Sequence, residues 1–213
     1  MTNALRTLSI GLVTVVVAAA AYADCTCKTS AKKDGWCTDC KVGFVDGVKI
    51  KSRKLYDALQ GELVSADKTS CSGCKAAAAK AATSKLTSAK LASDKGATCC
   101  GKTFVGKKSY RSPVAAILAS GHPVDMAKIA DSKCEGCKAA AKNNGFCKDC
   151  GVGIVAGRLY KGKENFAKAQ QAYATLVKAS KAVDVCEGCA VAMVTDSKCE
   201  SCKVSFKDGK MIK

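Results

Sequence analysis

The run Cys134-Glu135-Gly136-Cys137, followed nine residues later by Cys147-Lys148-Asp149-Cys150-Gly151-Val152-Gly153-Ile154-Val155-Ala156-Gly157-Arg158-Leu159-Tyr160, decides how the rest of the chain is read. Two Cys-x-x-Cys pairs stand before an alternating segment that breaks at Ala156-Gly157 and resumes. A Cys-x-x-Cys loop brings two sulfurs to one point, and a second loop completes a tetrahedron of thiolates. Alternation broken by a glycine turn spells a β-hairpin.

The same pattern recurs along the chain. Aligned on the second Cys of each later pair, Cys40, Cys100, Cys150 and Cys202, the fourth residue on is Phe44, Phe104, Ile154 and Phe206, and the tenth is Ile50, Tyr110, Tyr160 and Ile212. Between them lie Asp46-Gly47, Gly106-Lys107, Ala156-Gly157 and Asp208-Gly209, whose residue types suit the positive φ angles of a tight hairpin turn. Upstream of each ribbon lies an earlier pair: Cys25 with Cys27, Cys71 with Cys74, Cys134 with Cys137, and Cys186 with Cys189. Nine residues separate the pairs in three units. The second unit has 24 between Cys74 and Cys99, and its later pair is the adjacent Cys99-Cys100. Its Lys/Ala/Ser/Thr insert, Lys75 to Gly96, predicts an exposed helix or mobile arm beside a degenerate site.

Knuckle pairs followed by hairpins resemble zinc-ribbon or rubredoxin-like knuckles, at the level of the motif and over about two thirds of the chain beyond residue 23. The glycine usual after the second Cys stands at Gly101 and Gly151, while Lys41 and Lys203 replace it in the first and fourth units. The expected fold class is α+β: small metal-stabilised repeats, four Cys-pair knuckle and β-hairpin units joined by helices. The units span 24–70, 71–133, 134–185 and 186–213. Local pairing gives four metal sets: Cys25, Cys27, Cys37 and Cys40; Cys71, Cys74, Cys99 and Cys100; Cys134, Cys137, Cys147 and Cys150; Cys186, Cys189, Cys199 and Cys202. The expected metal is zinc. A rival arrangement joins each later pair to the next unit's first pair, as in a treble clef where the closing pair opens a helix, but it orphans Cys25/Cys27 and Cys199/Cys202.

Other uses of the sulfurs stay open. An even count of 16 cysteines in an exported chain also suits a disulfide-stapled scaffold. Trp36-Cys37-Thr38-Asp39-Cys40-Lys41 looks like a thioredoxin active-site hexapeptide, so thiol-disulfide exchange is a further alternative, although the α/β sheet such a site needs is not in view. The single histidine, His122, precedes Pro123 in a loop context and reads as surface structure more readily than as a ligand. No Ser/His/Asp set can be assembled, and turn chemistry explains Asp46 and Asp208. The chain is therefore read as non-enzymatic.

Composition sets the remaining bounds. Met1 to Arg6 is a basic head, Leu8 to Ala21 an uncharged apolar run, and Ala21-Tyr22-Ala23 fits a small-x-small cleavage site. Residues 1–23 are expected to be a signal peptide cut after Ala23, which places the mature protein in a secreted or periplasmic setting. Cys25 near the cut suggests a lipid anchor instead, but Asp24 occupies the position that needs a small residue. No transmembrane span is expected beyond the leader. The formal charge of +17 invites a nucleic-acid reading, yet only Arg6, Arg53, Arg111 and Arg158 are arginine and the lysines are scattered. Zn²⁺ on four thiolates is a dianion, so three or four sites would offset about six to eight of these charges. The expected partners are metal ions and a protein or anionic surface, not nucleic acid. With aromatic residues at 5% of the chain, a single large apolar core is not expected. Connecting helices are predicted over Arg53–Ser65, Val114–Ser120 behind the Ser112-Pro113 cap, and Glu164–Ala182, where Phe166, Ala169, Tyr173, Leu176 and Val177 make an apolar stripe.

Overall fold

The computed structural model describes residues 34–64, 71–83 and 98–212. The expected leader, Cys25 with Cys27, and residues 84–96 of the insert lie outside them. The chain is α+β, with every sheet antiparallel. The first sheet holds β1 (Trp36–Cys37), β2 (Val42–Val45) and β3 (Val48–Ile50). The second holds β4 (Glu62–Leu63), β5 (Thr98–Cys99), β6 (Lys102–Val105) and β7 (Lys108–Tyr110) in the order β4-β7-β6-β5. The third repeats that order with β8 (His122–Pro123), β9 (Phe146–Cys147), β10 (Val152–Val155) and β11 (Arg158–Lys161). The fourth holds β12 (Lys198–Cys199), β13 (Val204–Lys207) and β14 (Lys210–Ile212). Three hairpins turn on two successive positive φ angles, at Asp46-Gly47, Ala156-Gly157 and Asp208-Gly209. That is the twist-matched turn a two-residue loop requires.

Helices alternate with the sheets: α1 (Arg53–Leu59), α2 (Ser72–Thr83), α3 (Pro113–Ala119), α4 (Met126–Ala130), α5 (Glu135–Asn143), α6 (Lys163–Ala182) and α7 (Glu187–Thr195). Ser52 and Ser112, each twelve residues beyond a knuckle cysteine, cap α1 and α3 by accepting from Leu55 N at 3.0 Å and Ala115 N at 3.1 Å. The helix expected through Ser65 instead stops at Leu59. Past Gly61 the chain extends as β4 and pairs with β7 of the next sheet. The same step follows α3: past Gly121, β8 pairs with β11. A Cβ on Gly61 would lie 2.6 Å from the Tyr110 ring, and one on Gly121 2.5 Å from that of Tyr160. The tenth residue after the knuckle is Tyr in the two sheets that receive a strand from elsewhere among the described residues, and Ile50 or Ile212 in the other two.

A single cluster of buried residues runs through Val45, Ile50 and Leu55, then Leu118, Leu176, Ala190, Met193 and Phe206, against the expectation that no large core could form. Its chemistry explains the discrepancy. Ala115, Ala172, Ala179, Ala190 and Ala192 let α3, α6 and α7 approach closely, so the core is built from short side chains and few rings. The insert is expected to be an exposed helix or a mobile arm. Its described part, α2, buries Ala77 and Ala81 against Phe104.

Polar contacts lock the connectors to one another. Ser112 Oγ, fully buried, also donates to Val194 O at 2.7 Å, fastening the start of α3 to the end of α7. Ser52 Oγ donates to Glu187 Oε1 at 2.6 Å. The Arg158 guanidinium reaches from β11 to Asp46 at the tip of the first hairpin, 2.8 Å away, with both side chains largely buried. Replacing Ser112 by Ala removes a cap and a buried hydrogen bond together, each worth about 1 kcal/mol. We expect a loss of about 2 kcal/mol in denaturant unfolding, and the conservative Ser112→Thr should restore part of it.

Candidate metal centre

Each described sulfur group is made where a helix start meets a hairpin base. Cys134 and Cys186 are the N-cap residues of α5 and α7, and Cys71 directly precedes α2. These three earlier pairs are thus helix openings, which corrects the expectation of two knuckles in those units. The structural cause is local. Cys137 and Cys189 lie in the first turn, and the Cys189 N–H points at Cys186 Sγ from 3.4 Å. Unpaired amide hydrogens and the positive end of the helix favour a thiolate there.

The later pair comes from the hairpin. Cys147 and Cys199 end β9 and β12 and are buried, whereas Cys150 and Cys202 follow a tight knuckle and are exposed. The residue after the knuckle has positive φ in every unit: Lys41 at 51°, Gly101 at 71°, Gly151 at 64° and Lys203 at 57°. The two lysines therefore adopt the glycine conformation despite their Cβ. In the second unit the knuckle is two residues shorter, because β5 pairs Cys99 with Lys102 where β9 pairs Cys147 with Val152. Cys100 and Gly101, both at positive φ, close that turn and still bring the second sulfur to the common point. The expected degeneracy is not seen in the geometry.

Three groups of four sulfurs result: Cys71, Cys74, Cys99 and Cys100; Cys134, Cys137, Cys147 and Cys150; Cys186, Cys189, Cys199 and Cys202. Within each, all four Sγ atoms lie within 4.8 Å of one another. All three groups are local to their unit, and none joins a later pair to the next unit's first pair. Measured edges are 3.7 Å for Cys71–Cys99, 3.6 Å for Cys134–Cys147 and Cys134–Cys150, and 3.8 Å for Cys186–Cys199. A disulfide bond is about 2.05 Å long. A metal 2.3 Å from four sulfurs at tetrahedral angles places them about 3.8 Å apart. These twelve cysteines are free thiols spaced as the edges of a tetrahedron with room for one atom, so each group can hold a metal ion. In the first unit Cys37 is buried at the end of β1 and Cys40 follows in the knuckle, but Cys25 and Cys27 lie outside the described residues. His122, in β8 opposite Leu159, belongs to none of the three groups.

One contributor escaped the reading of the sequence. A glycine precedes the second Cys of each helix-opening pair, at Gly73, Gly136 and Gly188. A Cβ there would come within 3.0, 2.7 and 3.0 Å of Cys99, Cys147 and Cys199 Sγ respectively. The buried hairpin sulfur sits directly on this glycine. The signal was present as Cys-x-Gly-Cys in three of the four earlier pairs, and its absence from Cys25-Thr26-Cys27 marks the first unit as different.

The thiols of a group ionise unevenly. The Cys74 backbone N–H, with neighbouring thiols, lowers Cys71 to about 7. The Cys137 N–H does the same for Cys134, also to about 7. The Ser201 hydroxyl, 3.2 Å away, and the Cys202 N–H lower Cys199 to about 6. Burial pushes Cys137 and Cys189 well up, and the hydrogen bond that Cys99 donates to Cys74 is the largest influence raising Cys99. Negative sulfurs under 4 Å apart oppose one another's ionisation until a cation joins them. Metal binding at these groups must therefore release protons.

Comparison of the chain with protein-family models, curated proteins and solved structures finds no match. Among the described residues, no helix is long and apolar enough to cross a membrane.

Two outcomes are expected. Lys203→Gly should stabilise the metal-loaded protein by about 1 kcal/mol in chemical denaturation, since a non-glycine residue at positive φ costs about 1–2 kcal/mol and glycine's extra backbone entropy returns part of it. Acidification should release metal from the fourth group as protons displace it, and Ser201→Ala, which removes the hydrogen bond that holds the Cys199 thiol down at about 6, should move that release, followed with a chromophoric metal indicator, to higher pH.

Proposed function

We propose that this chain is an exported, non-enzymatic zinc-binding protein in which each Cys₄ group holds one structural Zn²⁺, presenting a protein-interaction scaffold. The observation that carries the reading is the set of sulfur edges at the tetrahedral spacing, made by joining a helix start to a hairpin base three times over. Such a closed set of four thiolates leaves no open coordination position for catalysis. Tetrahedral sulfur sites suit zinc or iron. Zinc is favoured for a chain read as exported from its leader, because it needs no cluster assembly and undergoes no redox change. The likeness to zinc-ribbon and rubredoxin-like knuckles in the hairpin half of each site supports the same choice.

A structural role follows from how little else holds the outer units. Around the second group the buried residues are Cys74, Ala77, Ala81 and Phe104, and around the third Ala140, Cys147 and Ile154. Cores that small do not offset the entropy of ordering a hairpin and a helix. A bound zinc supplies folding free energy on the order of 10 kcal/mol. The scattered lysines then neutralise the anionic sites and leave the surface suited to a protein or anionic partner.

Metal held as cargo is favoured by one observation. Cys100, Cys150 and Cys202 are exposed, and Cys100 lines an open cleft with Lys54, Lys102, Arg111, Asp57 and Glu62, through which a chelator could approach.

Native mass spectrometry of purified protein should show at least three zinc ions per chain, and a fourth if Cys25 and Cys27 complete the first set. Removing them with chelator should abolish the circular dichroism of the hairpins. Retention of full secondary structure after complete demetallation would establish the cargo reading, and zero metal with thiols resistant to alkylation until reduction would establish a disulfide scaffold. Replacing Cys147 and Cys150 by Ser should remove one zinc and raise hydrogen exchange through Tyr160, while exchange in the fourth sheet changes little.

A further inference from the structure

The fourth sheet carries an edge whose counterparts in the second and third sheets are filled by strands from elsewhere in the chain. In the second, β4 runs antiparallel to β7, Glu62 facing Ser109 and Leu63 facing Lys108, and Val64 N donates to Lys107 O at 3.0 Å. In the third, β8 runs antiparallel to β11, His122 facing Leu159 and Pro123 facing Arg158, and Val124 N donates to Gly157 O at 3.0 Å. Both donated segments read Gly-x-x-Val, Gly61 to Val64 and Gly121 to Val124, with the glycine beneath a tyrosine of the acceptor strand. By the same offsets from the knuckle, the acceptor positions of the fourth sheet are Gly209, which is buried against Thr175 of α6, and the exposed Lys210 and Met211.

No described strand fills them. After α6 the chain passes directly into α7, and β14 pairs with β13 alone. The whole of β14 is exposed, with Met211 at 62% and Ile212 at 46% of their full accessibility, whereas Ile50, the equivalent residue of the first sheet, is fully buried in the core. A row of unpaired backbone groups beside two exposed apolar side chains is a surface for strand addition. The molecule itself shows, twice, what such an edge takes.

We propose that the outer edge of β14 is a docking site for an extended Gly-x-x-Val segment of a partner polypeptide. The segment adds antiparallel to Lys210 and Met211, its backbone pairing with the outward N–H and C=O of Met211. Along an antiparallel pair the bonded positions alternate. Since Val124 is bonded opposite Gly157, Leu159 directs its backbone groups toward β8, and Met211 correspondingly directs its own away from β13. The recognition is mainly through the backbone. The glycine lets the segment lie close, and the apolar surface of Met211 and Ile212 covers it.

The test uses full-length zinc-loaded protein and a synthetic peptide of residues Ser120 to Asp125, followed by amide NMR. Saturable shifts are expected at Lys210 and Met211, with slowed exchange of the Met211 N–H. A scrambled peptide should produce neither. Met211→Pro removes the outward donor while leaving the bonds to β13, and should weaken binding about tenfold. Met211→Lys, which keeps the backbone and places charge on the edge, provides the same reading if the proline variant fails to fold. Absence of shifts at Lys210 and Met211 up to millimolar peptide, or equal binding by both variants, overturns the proposal. A protein that sediments as a dimer dissociated by Met211→Lys also overturns it, because the occupant would then be a second copy.

Discussion

Four sulfurs drawn to one point set the geometry on which the rest of this structure depends. Two come from the start of a helix and two from the base of a hairpin, so a single set of contacts orients two elements that share few other apolar neighbours. That constraint explains local features that otherwise look costly. Lys41 and Lys203 accept left-handed backbone because the knuckle must turn there. Gly73, Gly136 and Gly188 lack a side chain because a sulfur occupies its place. The uneven thiols have the same origin, since helix amides stabilise one thiolate while burial and neighbouring sulfurs hold others protonated.

Above this local level, the connectors make the shared interior. The helices α3 and α6, which leave hairpins, pack on one another, α1 packs on α7, and the alanines of α6 and α7 set how closely they meet. Ser52 and Ser112 serve twice, as helix caps and as links to the two ends of α7. The Arg158 to Asp46 pair joins the third sheet to the first across the fold. Around one sulfur group the structure is small and self-contained, whereas across the helices it is a conventional packed core.

Much of the hairpin half was legible in the sequence, because positive-φ turns and period-two alternation leave residue signatures at fixed offsets: Phe44, Phe104, Ile154 and Phe206 all fall in second strands. The four-sulfur groupings were legible from spacing alone in the third and fourth units. The helical character of the earlier pairs was harder to see, since Cys-x-x-Cys fits both a knuckle and a first helical turn. What distinguishes them is the alanine run after Cys74 and Cys137 and the glycine between the cysteines. The strands β4 and β8 were not legible at all. Each is two residues long, lacks alternation, and pairs with chain more than thirty residues onward, so its only mark is the Gly and Tyr that meet across the fold. The core was underestimated because alanine contributes little to hydrophobic pattern, although it permits the closest helix approach.

The two donated strands have a consequence for the order in which the molecule is made. Each precedes its acceptor hairpin in the chain: Glu62–Leu63 comes before Lys108–Tyr110, and His122–Pro123 before Arg158–Lys161. In a polypeptide emerging N-terminus first, the cover for each hairpin is already present when that hairpin forms. A newly made sheet edge is therefore occupied from within before a neighbouring nascent chain can reach it. Synthesis from one end and assembly of the sheets run in the same direction, the first and second units each carrying forward the closing piece of the next.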